Sequence, residues 1–294
     1  MTRDNFIAKD GKTVSYVLWD DVKNPTGVIQ ISHGMAEHAM RYDLFARRMN
    51  ENGFIVAADD HRAHGVTDQS TLGYSEGDIW ENTLSDLRAL SEMLMEKYRL
   101  PLILFGHSYG SFLTQAYIRR YDGLAGAVIG GSNYLAGASV SAGKFIAACG
   151  CKFKGKDKPG LLIKKMTFDV YDKKFPSGSF ISSIDSECKR YESDPLCNFV
   201  CSNNFYYNFF KGAKKLYKGE GVSLEKFPIL LVAGDCDPVG NMGKGVLKLE
   251  KWYKKQGANV KCKLYEGVRH EFLNDTSRDS VTAEILDFCR SIVK

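Results

Sequence analysis

The sequence predicts an α/β protein, with a mostly parallel sheet flanked by helices and an inserted, mainly helical segment. Short apolar runs rich in Val and Ile recur along the chain, and helix-period patterns lie between several of them. Continuous apolar runs are typical of strands buried on both faces, and strands that alternate with helices form parallel sheets. The alternation breaks off for a long stretch before it resumes, which indicates an insertion.

Seven runs are predicted as strands because they are short, apolar and rich in β-branched residues. They are Thr13–Leu18, Val28–Ile31, Phe54–Ala58, Leu102–Phe105, Leu124–Ile129, Ile229–Ala233 and Val260–Tyr265. Two helices are predicted from apolar residues that share one face. These residues are Leu84, Leu87, Leu90 and Leu94 in the first helix, and Val246, Leu249, Trp252 and Tyr253 in the second.

The predicted insertion lies between the fifth and sixth predicted strands. The alternation stops after Gly131 and resumes at Phe227. We therefore expect an α/β core made of residues 1–132 and 227–294, and a mainly helical cap, or lid, made of residues 133–226. Five aromatic residues crowd into 205–210, too many for a single buried stripe on one helix. They either pack the cap onto the core or form an apolar wall for an acyl chain.

Composition excludes several classes of protein. Of the 294 residues, 44% are apolar and 26% are charged, as in ordinary globular proteins rather than disordered or fibrous ones. The first residues carry no apolar run typical of an export signal, and no run approaches the roughly 20 residues that span a bilayer. We therefore expect a cytoplasmic protein with eight free cysteine thiols. The cysteine spacing lacks a zinc-knuckle pattern, so we expect no metal site.

The positive charge of the chain is concentrated in one segment. The net charge of +5 is too small to predict a nucleic-acid partner, but residues 149–226 contain 15 Lys and Arg against 9 Asp and Glu. This excess is either a solvated surface or an attraction for anionic lipid or substrate headgroups, so transient contact of the cap with a lipid surface is a second expectation. Nothing in the sequence predicts the oligomeric state.

The pentapeptide GHSYG at 106–110 matches the pattern G-x-S-x-G, in which a sharp turn between a strand and a helix exposes a serine hydroxyl. The apolar run PLILF precedes it, and residues with helical spacing follow it. This context predicts Ser108 as a nucleophile. A serine hydroxyl is a weak nucleophile unless a histidine, held by a carboxylate, takes its proton.

The order of the motif then selects the partners, because in this fold the serine is followed by the acid and then by the histidine. Of the six histidines only His270 follows Ser108, so it is predicted as the general base. The acid should lie at the end of the core strand that precedes the strand before His270. There the run FPILLVAG leads into Asp235 and Asp237. We predict Asp237, three residues beyond Gly234, as the acid, and Asp235 as a residue that caps the turn.

Two backbone N–H groups should stabilise the tetrahedral oxyanion. Tyr109, the residue after the nucleophile, is predicted to supply the first. The second is predicted at Met35, because Gly34 follows an early strand and allows the turn that directs the Met35 amide inward.

Taken together, the motifs HGMAEH at 33–38, DHRAHG at 60–65, GHSYG at 106–110 and DPVG at 237–240 resemble the monoacylglycerol lipase and lysophospholipase branch of the α/β-hydrolases. The resemblance implies the α/β-hydrolase fold. It also implies the roles already predicted for the site residues, namely the nucleophile, acid and base at Ser108, Asp237 and His270, and the oxyanion donors at Met35 and Tyr109. The sequence departs from the family pattern at Ala63, where glycine is usual. The early histidines His38, His61 and His64 are expected to brace loops.

The predicted activity is hydrolysis of a carboxylic ester without a cofactor or metal ion. The expected partner is a small-molecule acyl ester such as a monoacylglycerol or lysophospholipid, a preference that rests on the family resemblance. The same residues would also serve an aminopeptidase or amidase, or a thioesterase or acyltransferase, although the basic cap argues against binding of a free α-amine. A binding protein that keeps the fold without turnover is the alternative from another class.

Overall fold

The computed structural model describes residues 1–176 and 178–293. Eight strands form one sheet in the order β1-β2-β4-β3-β5-β6-β7-β8. The strands are β1 (Thr2–Ile7), β2 (Thr13–Trp19), β3 (Gly27–Ser32), β4 (Phe54–Asp59), β5 (Leu102–His107), β6 (Gly126–Gly130), β7 (Pro228–Gly234) and β8 (Asn259–Tyr265). Each of the seven predicted strands coincides with one of these, within about two residues at either end.

Six of the strands, β4, β3, β5, β6, β7 and β8, are parallel to one another, whereas β2 pairs antiparallel with both β1 and β4. Strands β3 to β6 are buried along their whole length, as expected for strands covered on both faces. Strand β1 was not predicted, because its residues are mostly polar. They can be polar because β1 lies exposed at the edge of the sheet. Strand β8 forms the other edge and alternates in exposure.

Five helices flank the sheet. They are α1 (Asp43–Asn50), α2 (Ile79–Tyr98), α3 (Tyr109–Arg120), α9 (Lys244–Lys255) and α10 (Arg278–Ile292). Helices α1 and α10 share one apolar core with the sheet, while α2, α3 and α9 contribute to cores on the other side. The leucine stripe predicted on α2 is buried, because it packs against the sheet. In the stripe on α9, Trp252 stays partly exposed.

Five further helices lie between β6 and β7, within the predicted insertion. They are α4 (Ala138–Phe153), α5 (Leu161–Met166), α6 (Phe168–Asp172), α7 (Asp185–Ser193) and α8 (Asn203–Ala213). Helix α8 packs against α4 on one side and against α2 of the flanking layer on the other. The described part of the chain contains no helix long and apolar enough for a membrane span.

Candidate active site

Ser108 lies at the sharp turn between β5 and α3, with φ of 51° and ψ of −117°. A non-glycine residue in this region is strained, and such strain is typical of functional turns. The two glycines of the motif are required by close packing. A Cβ on Gly110 would lie 1.9 Å from the carbonyl oxygen of Ser32, and one on Gly106 would lie 2.2 Å from Thr114 Oγ1. The sequence therefore forms the predicted elbow and presents the Ser108 hydroxyl at the carboxyl end of β5.

The structure brings Ser108, His270 and Asp237 together, although they lie far apart in the chain. The distance between Ser108 Oγ and His270 Nε2 is 2.8 Å, and that between His270 Nδ1 and Asp237 Oδ2 is 3.0 Å. The imidazole and the carboxylate are both buried. The other carboxylate oxygen, Asp237 Oδ1, accepts the backbone N–H of Val239 at 2.8 Å. The carboxylate is thus held in place and can orient the imidazole toward the hydroxyl.

Asp235, the alternative candidate for the acid, forms its hydrogen bond with a different residue. Its Oδ1 accepts a hydrogen bond of 2.8 Å from the backbone N–H of Gly267, in the turn that leads to His270. Asp235 therefore ties the turn after β8 to the end of β7, a longer-range contact than the local cap that we predicted.

The loop that carries His270 is fastened to the inserted segment. The His270 N–H donates to the carbonyl oxygen of Phe180 at 3.2 Å. The Arg269 guanidinium donates to the carbonyl oxygens of Ser179 and Ser182, both at 2.8 Å. The sequence did not predict these contacts, because residues 179–182 form neither a helix nor a strand and carry no motif.

The predicted oxyanion loop lies beside the nucleophile. A Cβ on Gly34 would lie 2.6 Å from Glu37 Oε1 and 3.2 Å from the Cβ of Ser108, so a larger residue would crowd both the glutamate and the serine. The amides on both sides of Met35 have acceptors: Gly34 N–H donates to the Glu37 carboxylate, and Ala36 N–H donates to His64 Nε2 at 3.0 Å. Met35 itself borders the same space as Ser108.

Tyr109, the other predicted donor, is the first residue of α3. The N–H groups in the first turn of a helix have no acceptor within the helix, so the Tyr109 amide is available to a substrate oxygen. The Tyr109 side chain takes no part in this role, because it packs among Trp80, Phe205 and Phe209.

The early histidines occupy positions that brace the surrounding loops. His64 holds the oxyanion loop through Ala36, as described above, and His38 Nε2 lies 2.9 Å from Asp194 Oδ2 in the inserted segment. Burial lowers the pKa of His64 to about 4, so this ring is neutral near pH 7. Ala63 adopts φ of 68°, which explains why the family pattern has glycine there.

A second hydrogen-bonded Ser, His and Asp set lies deeper in the core. The distance between Ser32 Oγ and His61 Nε2 is 2.9 Å, and that between His61 Nδ1 and Asp59 Oδ2 is 2.7 Å. All three residues are fully buried, so no substrate can reach the Ser32 hydroxyl. Burial also lowers the pKa of His61 to about 3, which disfavours proton uptake. Accessibility, rather than distance, therefore distinguishes the set that contains Ser108 from this buried set.

A buried ionic network lies beneath the site and was not predicted. His107 Nδ1 is 3.4 Å from Glu37 Oε1, and His107 Nε2 is 3.1 Å from the carbonyl oxygen of His270. Because each ring nitrogen faces an acceptor, the imidazole is best satisfied as a cation. Burial alone would lower the pKa of His107, but the Glu37 carboxylate raises it above its usual value. Arg41 continues the network from Glu37 to Glu271.

Two cavities meet at Ser108. The larger, of about 460 Å³, is mainly apolar and is walled by α4, α5 and α8. Its lining includes Ile146, Ile163, Phe209 and Phe210. In the aromatic run of α8, Phe205 packs on the core, whereas Phe209 and Phe210 line the cavity.

The smaller cavity, of about 110 Å³, is more polar. It lies on the side of Ser108 that faces the ionic network, and Glu37, His107 and Glu271 all border it. A substrate whose carbonyl lies at Ser108 can therefore extend an apolar part into the larger cavity and a polar part into the smaller one.

One group of side chains in the described residues has the composition of a metal site. His38, Asp194 and Cys197 bring potential ligand atoms within 4.8 Å of one another. Burial raises the pKa of the Cys197 thiol well above its usual value, which disfavours the thiolate that a metal would need. The hydrogen bond between His38 and Asp194 gives this group a structural role, and the reaction described below uses none of it.

Comparison with known proteins agrees with this geometry. Residues 23–277 match the family model described as serine aminopeptidase, S33. A monoacylglycerol lipase from Mycolicibacterium smegmatis is 25% identical over 291 residues, which cover 96% of this chain and 94% of the relative. The human monoglyceride lipase is 26% identical over 273 residues, which cover 90% of this chain and 82% of the relative.

Among solved structures, a thermostable carboxyl esterase from Bacillus coagulans superposes with a TM-score of 0.88 at 29% identity, covering 100% of this chain and 99% of the esterase. The resemblance to the monoacylglycerol lipase branch is thus confirmed. The chain belongs to the serine aminopeptidase S33 family, has the α/β-hydrolase fold and is a serine ester hydrolase.

Proposed function

We propose that this enzyme hydrolyses lipid esters with a single acyl chain, such as a monoacylglycerol or a lysophospholipid. In this proposal Ser108 is the nucleophile, His270 the general base and Asp237 the acid that orients it. The observation that carries the proposal is the continuous hydrogen-bond chain from Ser108 through His270 to Asp237, next to a large apolar cavity. The monoacylglycerol lipases among the relatives support the same substrate class.

The proposed reaction has two steps. Ser108 Oγ attacks the ester carbonyl while His270 Nε2 takes its proton, and the same proton passes to the alkoxide as the ester C–O bond breaks. The alcohol leaves and an acyl-serine remains. Water then attacks the acyl carbon, again giving a proton to His270, and the Ser108 oxygen recovers this proton as the fatty acid departs. Asp237 keeps the Nδ1 proton in place and stabilises the imidazolium formed in each step.

Two backbone donors are proposed to stabilise the oxyanion formed in both steps. They are the N–H groups of Met35 and Tyr109, which flank Ser108 from the loop after β3 and from the start of α3. The hydrogen bonds that hold Gly34 and Ala36 support this role, because they fix the Met35 amide between them. Removal of one such donor typically costs about a hundredfold in turnover.

The acyl chain is proposed to lie in the larger cavity, and the alcohol in the smaller one. Each methylene that enters an apolar cavity contributes about 0.8 kcal/mol, so the cavity favours esters with a chain of several carbons. We propose that residues 133–226 act as the cap of the enzyme. The contribution of α4, α5 and α8 to the cavity lining supports this role.

An aminopeptidase is the second candidate, because the family description names that activity and because the smaller cavity contains carboxylates that could bind an α-amine. Asp172 and Glu192 of the inserted segment both border it. The apolar character of the larger cavity favours the lipid ester instead, since an amino-acid side chain would fill little of it.

The decisive experiment combines active-site labelling with a substrate series. A fluorophosphonate probe should label the wild-type chain and a Ser32→Ala control but not Ser108→Ala, since Ser32 is buried. Hydrolysis of p-nitrophenyl esters should increase from acetate to longer acyl chains, while aminoacyl anilides should react slowly. Labelling that persists in Ser108→Ala would reject the nucleophile, and preference for the anilides would assign the enzyme as a peptidase.

A further inference from the structure

Four carboxylates border the smaller cavity, and two of them, Glu37 and Glu271, have cationic partners. The Arg41 guanidinium lies 3.4 Å from the Glu37 carboxylate and also pairs with that of Glu271. His107 Nδ1 lies 3.4 Å from Glu37 Oε1. The charges of Glu37 and Glu271 are therefore balanced within the ionic network beneath the site.

The other two carboxylates, Asp172 and Glu192, have no such balance. Neither forms an ion pair with any residue that the structure describes, although both border the cavity. Among the described residues of the lining, the only Lys or Arg is Lys164, and it pairs with Asp169. Asp172 Oδ1 accepts a hydrogen bond of 3.0 Å from a neutral group, the backbone N–H of Phe180. The cavity thus carries two carboxylates that are free to pair with a cationic ligand.

Partial burial makes the charge of Asp172 unfavourable in the absence of a ligand. Burial raises the pKa of the Asp172 carboxyl above its usual value, and the nearby charge of Glu192 raises it further. A carboxylate that loses water without gaining a cation is destabilised, and a bound cation removes this cost. The two residues therefore favour a ligand with a positive charge over a neutral ligand of the same shape.

Aromatic rings line the same cavity. They belong to Phe168, Phe180, Tyr191, Phe199 and Tyr206. The Arg41 guanidinium already lies over the Tyr191 ring, 5.1 Å from its centroid, which leaves four rings for a ligand. The faces of aromatic rings attract cations, and quaternary ammonium groups are recognised in this way. Carboxylates together with aromatic rings therefore match an ammonium group in their chemistry.

This lining has the opposite charge to the segment that supplies it. Residues 149–226, which include Asp172 and Glu192, contain 15 Lys and Arg against 9 Asp and Glu. Of these basic residues, Lys164 is the one in the described lining of the cavity. The net charge of the inserted segment therefore does not predict which ligand charge the cavity prefers.

We propose that the smaller cavity selects esters whose alcohol carries a positively charged ammonium group, bound by Asp172, Glu192 and the surrounding rings. This rests on the proposed function, in which the acyl chain occupies the larger cavity and the alcohol the smaller one. The reaction is the same two-step hydrolysis. The ammonium group forms no bond to the protein and leaves with the alcohol, which takes its proton from His270. The cavity volume of about 110 Å³ limits this alcohol to a compact one, for which choline is the probe.

Two esters of the same shape separate the effect of charge from that of fit. Butyrylcholine carries a quaternary nitrogen where its uncharged isostere, neohexyl butyrate, carries a quaternary carbon. At about pH 8, where carboxyl groups are ionised, kcat/KM should be about 20-fold higher for butyrylcholine, since each carboxylate near a cation contributes about fivefold. Raised salt should lower this ratio, because it screens the charges. A ratio near one in the wild type would overturn the proposal.

Asp172→Asn with Glu192→Gln removes both charges and keeps an oxygen that can accept from the Phe180 N–H. The ratio of kcat/KM values for the two esters should then fall close to one. The matched control is Asp185→Asn with Glu220→Gln, which removes two exposed carboxylates of the same inserted segment, outside the lining of both cavities. This control should keep the wild-type ratio. An equal loss of the ratio in both double variants would assign the preference to overall charge and reject the cavity.

Inhibition of the wild type by the free alcohols tests the same preference without a variant. Choline should inhibit hydrolysis of p-nitrophenyl butyrate at a concentration about 20-fold lower than neohexyl alcohol does. Equal inhibition by the two alcohols, with both esters hydrolysed at equal rates, would overturn the selectivity and leave the proposed function intact. Failure of the proposed function would instead appear as hydrolysis of neither ester and no fluorophosphonate labelling of Ser108, and it would overturn this proposal as well.

Discussion

The backbone N–H of His270 donates a hydrogen bond of 3.2 Å to the carbonyl oxygen of Phe180. His270 lies in the loop after β8, and Phe180 lies in the segment inserted between β6 and β7. The next amide, of Glu271, likewise donates to the Ile181 carbonyl at 2.8 Å. The inserted segment therefore positions the backbone of the proposed general base as well as contributing to the cavity walls.

Arg269 offers a way to test this coupling, because its guanidinium bonds to two carbonyls of the same segment and stacks on Phe175 at 4.3 Å. Arg269→Gln should remove contacts that contribute about 2 kcal/mol, and it should displace the imidazole of His270. We expect kcat to fall about tenfold with little change in KM, measured with a soluble ester.

The control for Arg269 is Arg290→Gln. Arg290, on α10, donates a surface hydrogen bond to Asn52, which precedes the amino end of β4, whereas Ser108 follows the carboxyl end of β5. Arg290→Gln should leave kcat unchanged. An unchanged kcat in Arg269→Gln would mean that the loop holds His270 without help from the inserted segment.

The two aspartates after β7 should differ sharply in their effect on turnover. Asp237→Asn removes the carboxylate that accepts from His270 Nδ1, and by comparison with other triads kcat should fall by about 10⁴ with the fold intact. Asp235→Asn weakens only the tie to Gly267, so kcat should fall by less than about tenfold. Steady-state kinetics and thermal melts of both variants would check the ranking, and the reverse ranking would identify Asp235 as the acid.

His107 should make stability depend on pH. Its pKa is raised in the folded state above the ordinary 6.5, mainly because the Glu37 carboxylate outweighs the effect of burial. A raised pKa contributes stability that is complete below the unfolded pKa and is lost as pH rises through the folded pKa. His107→Asn should therefore lower the free energy of unfolding by about 3 kcal/mol near pH 6, and by less near pH 9.

Urea unfolding of the wild type and the variant at the two pH values measures this difference. Ser91→Ala is the control, since it removes buried hydrogen bonds to Gln30 and Leu87 but no titrating group. Its effect should be the same at both pH values. An effect of His107→Asn that is equally independent of pH would show that folding does not raise the pKa of His107.

Ala142 lines the larger cavity and is exposed, so a bulky residue there should shorten the preferred acyl chain. Ala142→Phe should lower kcat/KM for a p-nitrophenyl dodecanoate by about tenfold or more, while that for the butyrate stays within about twofold. Ala136→Phe, outside the cavity lining, should change neither value. Equal losses on both esters would place the acyl chain elsewhere.

Strands β3 to β7 were predictable because parallel strands covered on both faces need continuous apolar runs, and these runs are visible in the sequence. Strand β1 was not, since its residues are polar and pair at an exposed edge. Ser108, His270 and Asp237 were chosen from motif and chain order, and the structure brings those three together.

The ionic network around His107 could not be predicted in the same way. Glu37 and Glu271 come from loops more than 200 residues apart, and nothing in their local sequence indicates that Arg41 lies between them. The buried set of Ser32, His61 and Asp59 shows that residue chemistry and spacing alone do not identify a reactive site. Its residues have the chemistry and the spacing of a reactive site, and only their complete burial excludes it.

By itself the sequence determined the positions of seven strands, the elbow at Ser108 and the choice of His270 and Asp237 as its expected partners, because these depend on local periodicity and on a fixed order of motifs. Tertiary structure alone decided which of the two hydrogen-bonded serines is accessible, and how the inserted segment holds the backbone of His270. The physical reason is that burial and contact between distant segments depend on three-dimensional packing, which local patterns do not record.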